Sequence, residues 1–116
     1  MLYEMFKSKI HRATVTDANL LYEGSIELDS DLMKAANILE GEKVQVVNVA
    51  NGERFETYTI KGKPGSGVVC LNGPAARLGQ KGDEVIVITY VQLSPEDAAR
   101  NKPIIVKVDK QNRIIR

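Results

Sequence analysis

The chain has one cysteine, one histidine, no tryptophan and two phenylalanines in 116 residues. A single cysteine, Cys70, excludes an internal disulfide. One cysteine and one histidine, His11, do not by themselves make a zinc cluster. There is no excess of charge: 16 Lys and Arg against 15 Asp and Glu leave a net +1, without the basic surplus that nucleic-acid or membrane-surface partners call for. The shortage of large aromatics also argues against a platform for stacked bases. No apolar run approaches the roughly 20 residues that cross a bilayer. The opening Met1-Leu2-Tyr3-Glu4-Met5 lacks the basic start and long apolar run of a signal peptide. No Gly-rich phosphate loop follows a strand, and there is no internal repeat or low-complexity linker. These absences lead to the expectation of a soluble, intracellular protein with one domain over residues 1–116, large enough for a single core.

What is present is dense β patterning broken by glycine turns. Leu2–Phe6 and Ile10–Thr16 read as two strands, the second alternating apolar and polar residues. Ser25–Leu28 is a third. Asp29-Ser30-Asp31 opens a helix whose apolar positions run through Leu32, Met33, Ala35, Ala36 and Leu39 to a stop at Gly41. Lys43–Val49 and Glu53–Ile60 flank Asn51-Gly52, a pair that favours a type I′ hairpin turn. Alternation puts Arg54, Glu56 and Tyr58 on one face of the return strand and Phe55, Thr57 and Thr59 on the other. Val68–Leu71 is a buried strand in which Cys70 reads as an inert thiol. Asn72–Gly79 is a turn opening a very short helix, with Pro74 at its first position. The apolar run Glu84–Leu93 reads as a strand buried on both faces. Ser94 and Pro95 start a second short helix, Pro103 ends it, and Ile104–Val108 is a last strand before a frayed tail. Seven or so short strands with a few short helices predict a mainly β, small closed barrel.

One dipeptide carries possible chemistry. Gly24 permits backbone angles closed to other residues, and Ser25 places a hydroxyl beside the Gly24 carbonyl carbon. Attack by that hydroxyl would turn the amide into an ester. Elimination would then cut the chain and leave a dehydroalanine that hydrolyses to a pyruvoyl ketone, an electron sink made from the chain itself. Alone, Gly24-Ser25 reads as an ordinary turn between strands.

Four separate stretches alter that reading. Lys9-Ile10-His11-Arg12-Ala13-Thr14-Val15-Thr16, Tyr22-Glu23-Gly24-Ser25, Asn51-Gly52-Glu53-Arg54-Phe55-Glu56-Thr57-Tyr58 and Asn72-Gly73-Pro74-Ala75-Ala76 occur in order across nearly the whole chain. Together they closely resemble the pyruvoyl-dependent aspartate decarboxylases. The resemblance implies a six- to seven-stranded double-psi β-barrel, assembled as a homotetramer with active sites between subunits. It implies self-cleavage between Gly24 and Ser25 into a β chain (1–24) and an α chain (25–116). The activity implied is cytoplasmic decarboxylation of L-aspartate to β-alanine for pantothenate and coenzyme A synthesis, using a pyruvoyl group from Ser25 that forms a Schiff base with substrate, and no metal or pyridoxal phosphate. A processing factor is left unassigned.

The same resemblance suggests roles for single residues. Tyr58 is the proton donor, and Arg54 grips a substrate carboxylate with its planar fork. Lys9 is a second basic contact, against the alternative of an exposed strand-end lysine. His11 stands open between a site residue and a structural one. Thr57 assists self-cleavage by stabilising an oxyanion; because it alternates away from Tyr58, a distorted strand or a site shared by two subunits is expected. Tyr22 steadies the processing turn. Asn72, Gly73, Pro74 and Ala75 form a substrate cradle, although Pro74 stands where an all-alanine motif would offer an N–H. The rival classes are the same barrel used as an inactive binding module and an unrelated oligonucleotide-binding barrel.

Overall fold

Runs in which every second residue is apolar become strands with one face turned inward. The computed structural model describes residues 1–115 and contains eight strands. They are β1 (Tyr3–Thr14), β2 (Asp17–Asn19), β3 (Ser25–Asp29), β4 (Lys43–Asn48), β5 (Arg54–Gly62), β6 (Val69–Asn72), β7 (Glu84–Leu93) and β8 (Ile104–Lys107). Two short helices, α1 (Ser30–Ala35) and α2 (Pro95–Ala99), and a 3-10 turn at Gly73–Arg77 join them. The hydrogen-bonded order is β2-β6-β3-β5-β4-β7-β1-β8.

That order closes on itself because β2 continues β1. Val15 N–H donates to the Asp83 carbonyl at 2.8 Å, on the β7 side, and Thr16 N–H donates to the Val69 carbonyl at 2.8 Å, on the β6 side. The segment thus bonds to both ends of the sheet, and with β1 and β2 counted as one wall, six walls make the barrel expected from the sequence. β8 lies outside that ring, parallel to β1. Ile10, Ile26, Leu28, Val44, Val46, Val69, Leu71, Val85 and Val87 fill the interior, each at most 1 % exposed. Burying such side chains contributes about 1.5–3 kcal/mol each, so the interior, rather than the short helices, holds the walls in register.

Several local expectations are corrected. The two opening strands are one, β1, interrupted by irregularities between Phe6 and Ser8 and between Ile10 and Ala13, where Arg12 sits at φ 61°. These irregularities break the alternation, which is why the sequence looked like two strands. α1 has the expected cap, with the Asp29 carboxylate accepting from Asp31 N–H at 2.8 Å. It stops at Ala35 because Asn37 takes φ 55°, which leaves Leu39 72 % exposed. Asn51-Gly52 is not a type I′ turn: Gly52 has φ 74°, Asn51 is not left-handed, and the reversal is a wider loop in which Gly52 N–H donates to the Asn48 carbonyl. β7 is buried on one face only, through Val85, Val87 and Thr89, with Ile86 and Ile88 half-exposed on the other.

Candidate active site

Ser25 begins β3, which lies between β6 and β5. Ile26 and Leu28 point into the barrel, so Ser25 and Glu27 alternate to its outer face. On β6, Leu71 pairs with Ile26, Asn72 with Ser25 and Cys70 with Glu27. Ser25, Asn72 and Cys70 therefore share the outer face, yet all three are buried, at 1 %, 3 % and 8 % exposure. Asn72 Nδ2 donates to Ser25 Oγ at 3.1 Å. Ser25 Oγ–H in turn donates to the Glu23 carbonyl at 3.3 Å, and Cys70 Sγ–H donates to Asn72 Oδ1 at 3.3 Å.

The backbone around the Gly24-Ser25 bond is tightly enclosed. Gly73 has φ 63°, and a Cβ there would lie 2.8 Å from Gly24 N, Gly24 Cα and the Tyr22 carbonyl oxygen. A Cβ on Gly24 would lie 3.3 Å from Pro74 Cδ. The Tyr22–Gly24 segment thus runs directly over the Asn72-Gly73-Pro74 corner, with no room for a side chain between them. Pro74 is the second residue of the 3-10 turn, one position later than expected, and Asn72 stands before the turn without capping it, because its side chain is spent on Ser25.

β5 flanks the other side. β3 and β5 are parallel, with Ile26 opposite Thr59. The paired register begins there, so Tyr58 and Thr57 lie on β5 just before it meets β3, at the Ser25 end. Tyr58 is 41 % exposed on the outer face, as Ser25 is outward, and Thr57 turns inward. β5 pairs with β4 from Arg54 to Tyr58 without a register shift, so the strand distortion expected at Thr57 is absent.

The remaining candidates are farther away. Arg54 shares Tyr58's face but begins β5, about 13 Å along the strand from Tyr58 at 3.3 Å per residue. Its Nη1 donates to Gln45 Oε1 at 3.2 Å, an acceptor it shares with the Tyr90 hydroxyl at 2.7 Å. Among the described residues Arg54 has no carboxylate partner. Lys9 and His11 lie on β1, separated from β5 by β7 and β4. Lys9 Nζ sits 5.8 Å from the centre of the Phe6 ring. His11 Nδ1 is buried without a hydrogen-bond partner among the described residues. Burial lowers the His11 pKa, and nearby Lys9, Arg12 and Lys107 lower it further, so the ring is biased toward its neutral form. One chain thus brings together Tyr22, Gly24, Ser25, Asn72, Gly73, Pro74 and Ala75, with Thr57 and Tyr58 on the adjacent strand β5, and leaves Arg54, Lys9 and His11 apart from them. From sequence Cys70 is only an inert thiol of a buried strand. The available signal was its spacing of two from Asn72 on a strand, which puts both on one face.

Comparison with known proteins agrees along the whole chain. The family model described as Aspartate decarboxylase matches residues 1–115. The chain is 62 % identical over 116 residues to an aspartate 1-decarboxylase of Caldicellulosiruptor bescii, covering 100 % of this chain and 91 % of that protein. It is 61 % identical over 114 residues to an aspartate 1-decarboxylase of Neisseria meningitidis, covering 98 % of this chain and 90 % of that one. An aspartate 1-decarboxylase of Chloroherpeton thalassium is 60 % identical over 113 residues, covering 97 % and 83 % respectively.

Proposed function

The chain belongs to the aspartate decarboxylase family, and on that premise we propose that it converts L-aspartate to β-alanine and CO2 with a pyruvoyl group made from its own Ser25. The observation that carries the reading is the Gly24-Ser25 junction: a buried hydroxyl held between Asn72 Nδ2 and the Glu23 carbonyl, next to a glycine pressed against Gly73 and Pro74.

Maturation begins when Ser25 Oγ adds to the Gly24 carbonyl carbon. The Gly24–Ser25 C–N bond breaks, the nitrogen takes a proton, and an ester links Gly24 to Oγ. Loss of the Ser25 Cα proton then breaks the Cβ–Oγ bond, and Oγ departs as part of the Gly24 carboxylate. The dehydroalanine left at position 25 tautomerises to an imine, takes up water and releases ammonia, leaving the ketone. The products are a chain of residues 1–24 and a chain of residues 25–116. The Thr57 hydroxyl is assigned to the oxyanion on the Gly24 carbonyl, a role favoured by its place on β5, two residues before Thr59, the partner of Ile26. Tyr22 holds the segment through its carbonyl's close approach to Gly73.

The site suits the group. Position 25 is tied to β6 by its pairing with Asn72, so the new end would remain anchored after the chain is cut. Once formed, the ketone supplies an electrophile for the substrate amine and a sink for the electrons released with the carboxylate. The Tyr58 hydroxyl returns a proton to the carbon that has lost its carboxylate, from the strand next to Ser25. Arg54, which has no anionic partner among the described residues, holds the remaining substrate carboxylate. Gly73 and Ala75 offer backbone N–H groups, and Pro74 offers none. Lys9 and His11 come to the site from a neighbouring subunit of a homotetramer. The exposed apolar residues Leu20, Leu21 and Tyr22 beside the junction support such an interface. The product β-alanine serves cytoplasmic pantothenate synthesis.

The test uses L-aspartate labelled in its α-carboxylate. The cut protein should release labelled CO2 and form β-alanine in equal amounts, and Ser25→Ala should fold, remain uncut and release none. Release by Ser25→Ala, or none by fully cut protein, refutes the proposal.

A further inference from the structure

We propose that Cys70 is a positioning residue for chain cleavage: its thiol fixes the Asn72 amide so that Nδ2 faces Ser25 Oγ, and this hydrogen bond favours departure of Oγ in the elimination step. The inference rests on the self-cleavage reading above and adds a residue to it.

An asparagine side chain has two ends of nearly the same shape and opposite hydrogen-bonding character. Ser25 cannot select between them, because a hydroxyl both donates and accepts. With the amide reversed, Oδ1 would accept the Ser25 proton and draw it from the Glu23 carbonyl. The selection is made at the other end of the amide. There Cys70 Sγ lies 3.3 Å from Asn72 Oδ1. A protonated thiol carries one S–H that seeks an acceptor, and its sulfur is itself only a weak acceptor, so Oδ1 belongs on the sulfur side and Nδ2 faces Ser25, at 3.1 Å. The thiol is kept protonated by its surroundings: burial raises its pKa, and Asp17 and Glu27, opposite Cys70 on the two neighbouring strands, raise it further. A thiolate would instead accept, pull the NH2 end toward itself and turn Oδ1 to Ser25.

The direction of the donated bond identifies the step it serves. During attack on Gly24, Oγ must be electron-rich, and a donor to it gives little help. During elimination, Oγ takes up negative charge as it becomes a Gly24 carboxylate oxygen, and a donor already aimed at it stabilises that charge. Loss of the thiol should therefore slow elimination more than ester formation.

The experiment follows freshly translated full-length chains by intact mass, with hydroxylamine added to aliquots to cleave any ester at Gly24. Cys70→Ala should release the two chains about tenfold more slowly, the scale of one lost oriented hydrogen bond. It should also build up hydroxylamine-labile full-length chain that the wild type does not. Cys70→Ser keeps an O–H donor toward Oδ1 but, as a hydroxyl, also accepts, so it should cut at a rate between those of Cys70→Ala and wild type, with less ester build-up than Cys70→Ala. A Cys70→Ala chain that cuts at the wild-type rate overturns the inference alone. Equal slowing of the Ala and Ser variants without ester does so as well, because packing would then explain it. A wild-type chain that never cuts overturns the self-cleavage reading and this inference with it.

Discussion

Gly73→Ala separates the account from a generic loss of stability. Gly73 sits at φ 63°, where an alanine is strained by about 1–2 kcal/mol. Its new Cβ would also meet Gly24 N, Gly24 Cα and the Tyr22 oxygen at 2.8 Å. All three are backbone atoms, so no side chain can swing away. Ordinary contact begins near 3.4 Å, so the Tyr22–Gly24 segment must retreat by about 0.6 Å. A misplacement of about 1 Å at a reacting centre costs on the order of a hundredfold in rate, so cleavage should slow by roughly ten- to a hundredfold. A domain stable by about 5–15 kcal/mol remains folded under this strain. Gly52→Ala is the control: its φ of 74° brings comparable strain, but a Cβ there meets nothing within 4 Å. Cleavage would be timed by intact mass, and urea midpoints taken in a Ser25→Ala background that cannot cut. Both glycine variants should lose stability, and Gly73→Ala alone should cut slowly. Cleavage of Gly73→Ala at the rate of Gly52→Ala would refute the argument that the corner positions the scissile bond.

Tyr58→Phe should cut itself normally and decarboxylate L-aspartate poorly; turnover at the wild-type rate would remove Tyr58 as the proton donor. Asn112 is 2 % exposed, accepts from Thr14 N–H and donates to the carbonyls of Thr14 and Gly67. Asn112→Ala strands those buried groups and should cost about 2–4 kcal/mol in a urea titration; a loss under about 1 kcal/mol would contradict that. The Asn48 amide and the Gln80 N–H hold the Asp83 carboxyl below its ordinary value of 3.8. A group depressed on folding stabilises above its unfolded pKa and loses that contribution as pH falls through the folded one. The stability gap between wild type and Asp83→Asn should therefore be constant from neutral pH down to about pH 5 and shrink below the carboxylate range. A gap unchanged at pH 2 would refute the assignment.

Sequence was most informative where the determinant is local. Ser94 caps α2 by accepting from Asp97 N–H, and Asp29 caps α1, because a cap needs only its own next few residues. The Arg54/Tyr58 face followed from alternation, and β5 keeps it. The determinants that were missed are non-local. Nothing within residues 2–16 says that one strand runs through two irregularities, because the partner that tolerates them, β7, lies some 80 residues on. The closing of the barrel at Val15-Thr16 depends on Asp83 and Val69. The hydrophobic length of β7 suggested burial on two faces, but an antiparallel wall of one barrel covers only one. In the candidate site, the motifs put the residues forward, but the proximity of Gly73 to Gly24 is a contact across 49 positions that no period in the sequence encodes.

Intact-mass spectrometry of the purified, denatured, undigested protein tests the central claim most directly. The account expects two species split after Gly24, the larger one blocked at its amino terminus and reactive toward a carbonyl reagent. A single species at 12.8 kDa, unchanged after prolonged warming, would contradict it.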